Sequence, residues 1–132
     1  MKNLILLFAV VVLVGQSVMA DEKPLIADPI VQKAIRERIK KPTGELTKAD
    51  YRKVTKLSLL GNQLTSVKGL EKLTRLKSLN LRANQLTNVK GLEKLMQLED
   101  LWLEDNPDLT KAQIDELQKA LPNCYILSNP KK

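Results

Sequence analysis

Few side chains in this chain could do chemistry. Of its 132 residues one is cysteine and none is histidine. A tetrahedral zinc site is built from Cys and His ligands, so Cys124 alone cannot make one. A nucleophilic thiol needs a base or cation to hold it ionised, and no histidine exists to serve Cys124. The five glycines are scattered and form no phosphate cradle. Carboxylates do cluster, as Glu99, Asp100, Glu104 and Asp105. Their spacing matches no calcium-binding loop. A carboxylate pair could hydrolyse a glycoside, but that needs a pocket for which the sequence gives no sign. These observations point away from an enzyme, a metal, a cofactor or a small-molecule substrate. Recognition chemistry remains. Trp102 is the only tryptophan, and tryptophan and arginine are enriched at binding hot spots, where truncation costs about 2 kcal/mol or more.

Trp102 and Arg82 sit inside a sentence written more than once. Residues 57–78 read LSLLGNQLTSVKGLEKLTRLKS and residues 79–100 read LNLRANQLTNVKGLEKLMQLED, with 14 of 22 positions identical. A third copy opens at Leu101 as LWLEDN and then changes. In register, the copies run Val54-x-x-Leu57-x-Leu59-x-x-Asn62-x-Leu64, then Leu76-x-x-Leu79-x-Leu81-x-x-Asn84-x-Leu86, then Leu98-x-x-Leu101-x-Leu103-x-x-Asn106. A fixed 22-residue step carrying these residues is the leucine-rich repeat signature of a solenoid. Leu-x-Leu alternates with the period of a strand, so both leucines face one side. Each strand stacks in parallel on its neighbour.

Asn62, Asn84 and Asn106 then read as a structural ladder, their amides satisfying turn backbone within and between coils. Leu64, Val67, Leu70, Leu73 and Leu76 recur every three residues, which suits a 3₁₀-like back. Gly69 and Gly91 occupy equivalent places where a Cβ would be penalised. Lys68, Glu71, Lys72, Lys90, Glu93 and Lys94 are expected to be solvated charge on that back.

The open ends of a solenoid need covers. Asp28 is a candidate N-cap with Pro29 at the first helical position, and Ile30, Val31, Ala34, Ile35 and Ile39 form a helical stripe that Pro42 and Gly44 end. Thr47 to Asp50 resembles a capping box. Beyond the third copy, Thr110 to Gln113 is another, opening a helix whose inner face is expected to hold Ala112, Ile114, Leu117, Ala120 and Leu121 before Pro122 stops it. Cys124 and Ile126 alternate like a last strand, with Cys124 packed as a small apolar residue, and the tail from Asn129 is expected to be loose. Lys2, the apolar Leu4 to Val14 and the small-x-small Val18-Met19-Ala20 read as a signal peptide over residues 1–20, cleaved near Ala20. The apolar run is too short to span a bilayer. The expected organisation is therefore a leader and a single repeat domain over 21–132. Within it, 21–53 form a helical cap, 54–109 the repeats, and 110–132 a closing helix and strand. The fold class is α/β, with a parallel sheet on the concave face.

These features resemble the 22-residue subclass of leucine-rich repeats found in bacterial internalin-like proteins. There too a helical cap, here DPIVQKAIRERIKKPTGELTKADYRKVTKLSL, runs into LxxLxLxxNxL coils, and the chain is exported. LTKAQIDELQKALPNC looks like the closing helix of small exported bacterial repeat proteins. The resemblance implies a protein-interaction module that is periplasmic or secreted. Internalins generally have more coils and further C-terminal domains, so binding of a host receptor does not carry over.

A site on such a scaffold is expected where the repeat varies outward on the sheet. One column is Ser58, Asn80 and Trp102; the next is Leu60, Arg82 and Glu104. Before the first leucine come Lys56, Ser78 and Asp100, preceded by Thr55, Lys77 and Glu99. Lys56, Ser58, Leu60, Lys77, Asn80, Arg82, Asp100, Trp102 and Glu104 are the partner-binding candidates. The alternative for Trp102 is packing against neighbours or under the C-terminal cap. Basic residues lie early and acids late, which would orient a polar partner; Arg82 pairing with Glu104 is the intramolecular alternative. The net charge of +7 suits an anionic surface or simply a solvated exterior, while scarce aromatics and export argue against nucleic acid. Two functions are carried forward. One is protein binding by the concave face, with an unidentified partner; the other is attachment to an anionic cell surface through the basic exterior.

Overall fold

The computed structural model describes residues 26–129. The leader expected over residues 1–20 lies outside the described residues, as does the tail beyond Asn129. Helix α1 spans Pro29–Ile39. It starts as its sequence dictates: the Asp28 carboxylate accepts hydrogen bonds from the Ile30 and Val31 backbone N–H groups, the first at 2.8 Å. It stops before Pro42, with Lys40 in the left-handed region at φ 61°. Val31 and Ile35 are buried, with Ile30, Ala34 and Ile39 packed beside them, so the stripe closes the front of the solenoid.

A short helix, α2, spans Lys48–Tyr51. Its capping box is complete: Thr47 Oγ1 accepts from the Asp50 N–H, and the Asp50 carboxylate accepts from the Thr47 N–H. Lys41 Nζ adds an ion pair to Asp50 at 2.7 Å. The Lys41 ammonium, and then the Thr47 N–H, hold the Asp50 carboxyl well below the usual carboxylate range. A carboxyl depressed by folding contributes stability that is present above its unfolded pKa, near 3.9, and lost as pH falls below it. Unfolding titrations from pH 6 to pH 2 should therefore show stability falling below about pH 4, and Asp50→Asn should flatten that slope. An unchanged slope would mean that the box does not anchor the cap.

Four strands form one parallel sheet in the order β1 (Lys56–Ser58), β2 (Ser78–Asn80), β3 (Asp100–Trp102) and β4 (Tyr125–Leu127). In register, Leu57 pairs with Leu79, Leu79 with Leu101, and Leu101 with Ile126. The step is thus 22 residues twice and then 25, the difference being the closing helix. Leu59, Leu79, Leu81 and Leu103 are fully buried, as are Leu70, Leu73, Leu76, Leu86 and Leu92 of the back. The core is therefore one continuous column of leucine.

The back is 3₁₀ at Leu70–Lys72 and Leu92–Lys94, each entered through a glycine at φ near 100°. At Gly69 a Cβ would also lie 3.3 Å from Ile26 Cγ2. The two glutamates of the back are not merely solvated charge. Glu71 accepts from the Gly69 N–H at 2.9 Å, and Glu93 from the Gly91 N–H at 2.8 Å. Each coil turns off the sheet through a left-handed residue, at Gly61, Ala83 and Asp105 in equivalent positions. Ala83 adopts it despite a cost of about 1–2 kcal/mol for a Cβ there, because the asparagine ladder beside it fixes the corner.

That ladder is built around Asn84 and Asn106. Asn84 Oδ1 accepts from the Asn62 and Leu64 N–H groups of the preceding coil, both at 2.9 Å. Its Nδ2 donates to the Leu59 and Leu81 carbonyls. Asn106 repeats the pattern with Leu86 N–H and the Leu81 and Leu103 carbonyls. Among the described residues no coil precedes that of Asn62, and its side chain donates to the Leu60 carbonyl alone. At the other end Asn129, expected in a loose tail, adds a rung: its side chain accepts from the Asn106 N–H and donates to the Asn106 carbonyl.

Helix α3 spans Lys111–Ala120 and opens on the capping box of Thr110 and Gln113. Leu117 and Leu121 are buried, Ile114 and Ala120 half-buried, but Ala112 is exposed and does not belong to the inner face. Gln118, not among the residues expected on that face, donates its side-chain Nε2 to the Leu121 and Cys124 carbonyls, tying α3 to the entry of β4.

Candidate functional site

The parallel ladders carry the outward residues into straight rows across the sheet. Ser58, Asn80 and Trp102 are aligned, and the row ends on Leu127. Lys56, Ser78 and Asp100 are aligned, and that row ends on Tyr125, 63% exposed. Leu127 and Tyr125 were missed by the repeat reading because β4 follows at 25 residues rather than 22. A tryptophan, a leucine and a tyrosine therefore neighbour one another at the C-terminal end of the concave face.

A hollow of about 210 Å³ lies on the early part of this face, lined by Arg38, Lys56, Leu57, Ser58, Ser78, Asn80 and Trp102. Arg38 comes from α1 and was not among the expected residues. Its signal was present, since Arg38 lies three residues after Ile35 and seven after Val31, on the face of that helix turned toward the first coil. Trp102 is half-buried and forms part of this hollow. Asn80 Oδ1 accepts the Arg82 N–H at 3.0 Å, which fixes the amide and turns its NH₂ into the available group.

The other candidates are not gathered into the hollow. Arg82 pairs with Asp105 at 3.2 Å, not with Glu104. Both partners are more than half exposed, so the pair contributes about 0–1 kcal/mol. Glu104 is half-buried, and its Oε1 is buried without a hydrogen-bond partner. Leu60 is 52% exposed at the far side of the first coil. Lys77 precedes β2 and shares the alternation of Leu79, so it stands at the rim of the sheet rather than in an outward row. Asn62, Asn84 and Asn106 belong to the coil and not to the face.

Larger hollows open elsewhere, along α1 at Pro29 to Pro42, beneath the last coil around Pro107 and Asn129, and between α3 and the back. They are lined by cap and turn residues and not by the varied rows of the sheet. Burial, and secondarily the charge of Asp100, push the Cys124 thiol up to about 11, so the thiol stays protonated near neutrality and is a poor nucleophile. Among the described residues no cluster of His, Cys, Asp and Glu could hold a metal ion, and no helix is long and apolar enough to cross a membrane.

Comparison with known proteins fits this architecture. A family model described as leucine rich repeats (2 copies) matches residues 52–94. The structure of an internalin (inlF) from Listeria monocytogenes superposes with a TM-score of 0.67 at 26% identity, over 83% of this chain and 33% of that one. Internalin C2 (inlC2) from the same organism superposes with a TM-score of 0.58 at 20% identity, over 86% of this chain and 62% of that one. The chain thus spans about a third of the first internalin's length and under two thirds of the second's. No curated protein matches the sequence.

Proposed function

The chain is an internalin-like leucine-rich repeat solenoid, and from that premise we propose that it binds a protein partner through its concave sheet face and catalyses no reaction. Leucine-rich repeat folds typically mediate protein–protein interaction, and solenoid curvature makes such a face an extended binding surface. The observation that carries the reading is Trp102. It departs from the small polar residues of the earlier coils, and it stands half-exposed beside a hollow instead of completing the core. With the leader expected over residues 1–20, the partner belongs to the periplasm or the extracellular medium.

The test is crosslinking of tagged residues 21–132 in the native envelope, with Trp102→Ala in parallel. Capture of one specific partner should weaken at least about tenfold, as loss of a hot-spot residue implies, while the unfolding midpoint stays unchanged. Undiminished capture by the folded variant would overturn the concave-face reading.

One observation favours a second reading. Glu71 and Glu93 are tied to the Gly69 and Gly91 N–H groups, which leaves Lys68, Lys72, Lys90 and Lys94 exposed along the back. Attachment of that ridge to an anionic cell surface would give salt-sensitive retention that ignores Trp102→Ala. Retention indifferent to salt would remove this reading.

A further inference from the structure

We infer that the concave hollow seats the carboxylate of an Asp or Glu side chain, carried on an extended partner segment whose basic residue lies about three positions away over the third coil. The inference rests on the concave-face reading and adds the chemistry of what occupies it.

The hollow offers donors almost exclusively. Arg38 and Lys56 make no ion pair or side-chain hydrogen bond with any described residue, in contrast to Arg82, which is paired. The acceptor oxygen of Asn80 is engaged by the Arg82 N–H, so its NH₂ is what the hollow receives. Ser58 and Ser78 add hydroxyls. A guanidinium, an ammonium, an amide NH₂ and two hydroxyls around one hollow suit an anion, and charge-assisted bonds from arginine favour a planar carboxylate. Trp102 supplies an apolar wall for the methylenes of an acidic side chain. At about 210 Å³ the hollow takes one side chain rather than a run of sugar rings.

The rest of the face selects a dipolar occupant. Asp100 stands in the same row as Lys56, two strands on. It has no ion pair among the described residues, and Glu104 lies four residues along the same coil with its Oε1 buried. Two strand spacings amount to roughly 10 Å, the reach of about three extended residues. A segment with an acid and then a base at that separation is attracted at both ends when it lies across the strands. A uniformly anionic polymer would be attracted at Arg38 and Lys56 and repelled at Asp100.

Trp102 is the only tryptophan, so its indole N–H gives a single side-chain NMR signal at the site. Residues 21–132, labelled with ¹⁵N, would be titrated with acetyl-Gly-Glu-Thr-Thr-Lys-Gly-amide and with its Glu→Gln and Lys→Gln forms. Polygalacturonate would serve as the uniform polyanion. The parent peptide should shift the indole signal saturably. Glu→Gln should weaken binding at least about tenfold, the size of one lost charge-assisted pair, and Lys→Gln severalfold. Arg38→Ala and Lys56→Ala in the protein should each reproduce the Glu→Gln loss. Arg38 is exposed on a helix where alanine is well tolerated, so that variant folds. Equal binding of the Glu→Gln peptide, no effect of Arg38→Ala or Lys56→Ala, no shift with any peptide, or tighter binding of polygalacturonate would each overturn the inference. The concave-face reading falls separately, when crosslinked capture ignores Trp102→Ala.

Discussion

Asn84→Ala should destabilise the solenoid by about 3–5 kcal/mol, because it orphans buried backbone groups of the preceding coil at about 1–3 kcal/mol each. The groups are the Asn62 and Leu64 N–H donors and the Leu59 carbonyl, while the Leu81 carbonyl keeps its bond from Asn106. Asn84 itself is buried, so water cannot replace its amide without opening the corner between coils. The expected loss is below the arithmetic sum because part of that corner relaxes. Asn62→Ala is the internal control. Its side chain makes one exposed bond to the Leu60 carbonyl, so the loss should stay under about 1 kcal/mol. Urea unfolding followed by circular dichroism measures both. Equal losses for the two variants would show that sequence position and not the inter-coil bonds sets the value of these residues.

Leu81→Ala should cost about 2–5 kcal/mol, the range for deleting a buried leucine side chain. The upper part of that range is expected. Leu81 is fully buried in the middle coil, and its carbonyl receives both Asn84 and Asn106. Its equivalents Leu59 and Leu103 sit on backbones held by the strand ladders and cannot collapse into the space. Against a total of about 5–15 kcal/mol for a domain, such a loss populates unfolded chain in a measurable fraction. Leu60→Ala, one residue beyond Leu59 but 52% exposed, should change stability by no more than about 0.5 kcal/mol. A urea midpoint for Leu81→Ala within error of the parent protein would contradict the continuous leucine column.

Most of the scaffold was legible because each part of it is written locally or at a fixed step. Both capping boxes, the glycines of the back, the rows of the sheet and the ladder of Asn84 and Asn106 follow from residue type and the 22-residue period. What escaped the reading depends on contacts between elements that no period links. Arg38 reaches the hollow because α1 packs on the first coil. Tyr125 and Leu127 join the outward rows because α3 lengthens the last step. Asn129 serves the ladder at 23 residues from Asn106 and outside its pattern. Ala112 is expected on the inner face, yet it is exposed, because two residues before Ile114 helical spacing turns it away from the face of Ile114, Leu117 and Leu121. Arg82 chose Asp105 over Glu104, a choice between neighbouring acids that spacing alone leaves open.

The equal step from β1 to β2 and from β2 to β3 makes the sheet a ruler graduated in whole copies. Each 22-residue unit adds one strand, about 4.8 Å of width, and ends on a surface that the next unit or the closing helix fits equally well. Arg38 is fixed to the front cap, while Asp100 and Trp102 belong to the last copy before the closing helix. Gain or loss of one copy by duplication or deletion in the gene would therefore change the separation of the two charges in steps of one strand. The number of copies, more than any single substitution, would then decide how long a partner segment the face can measure.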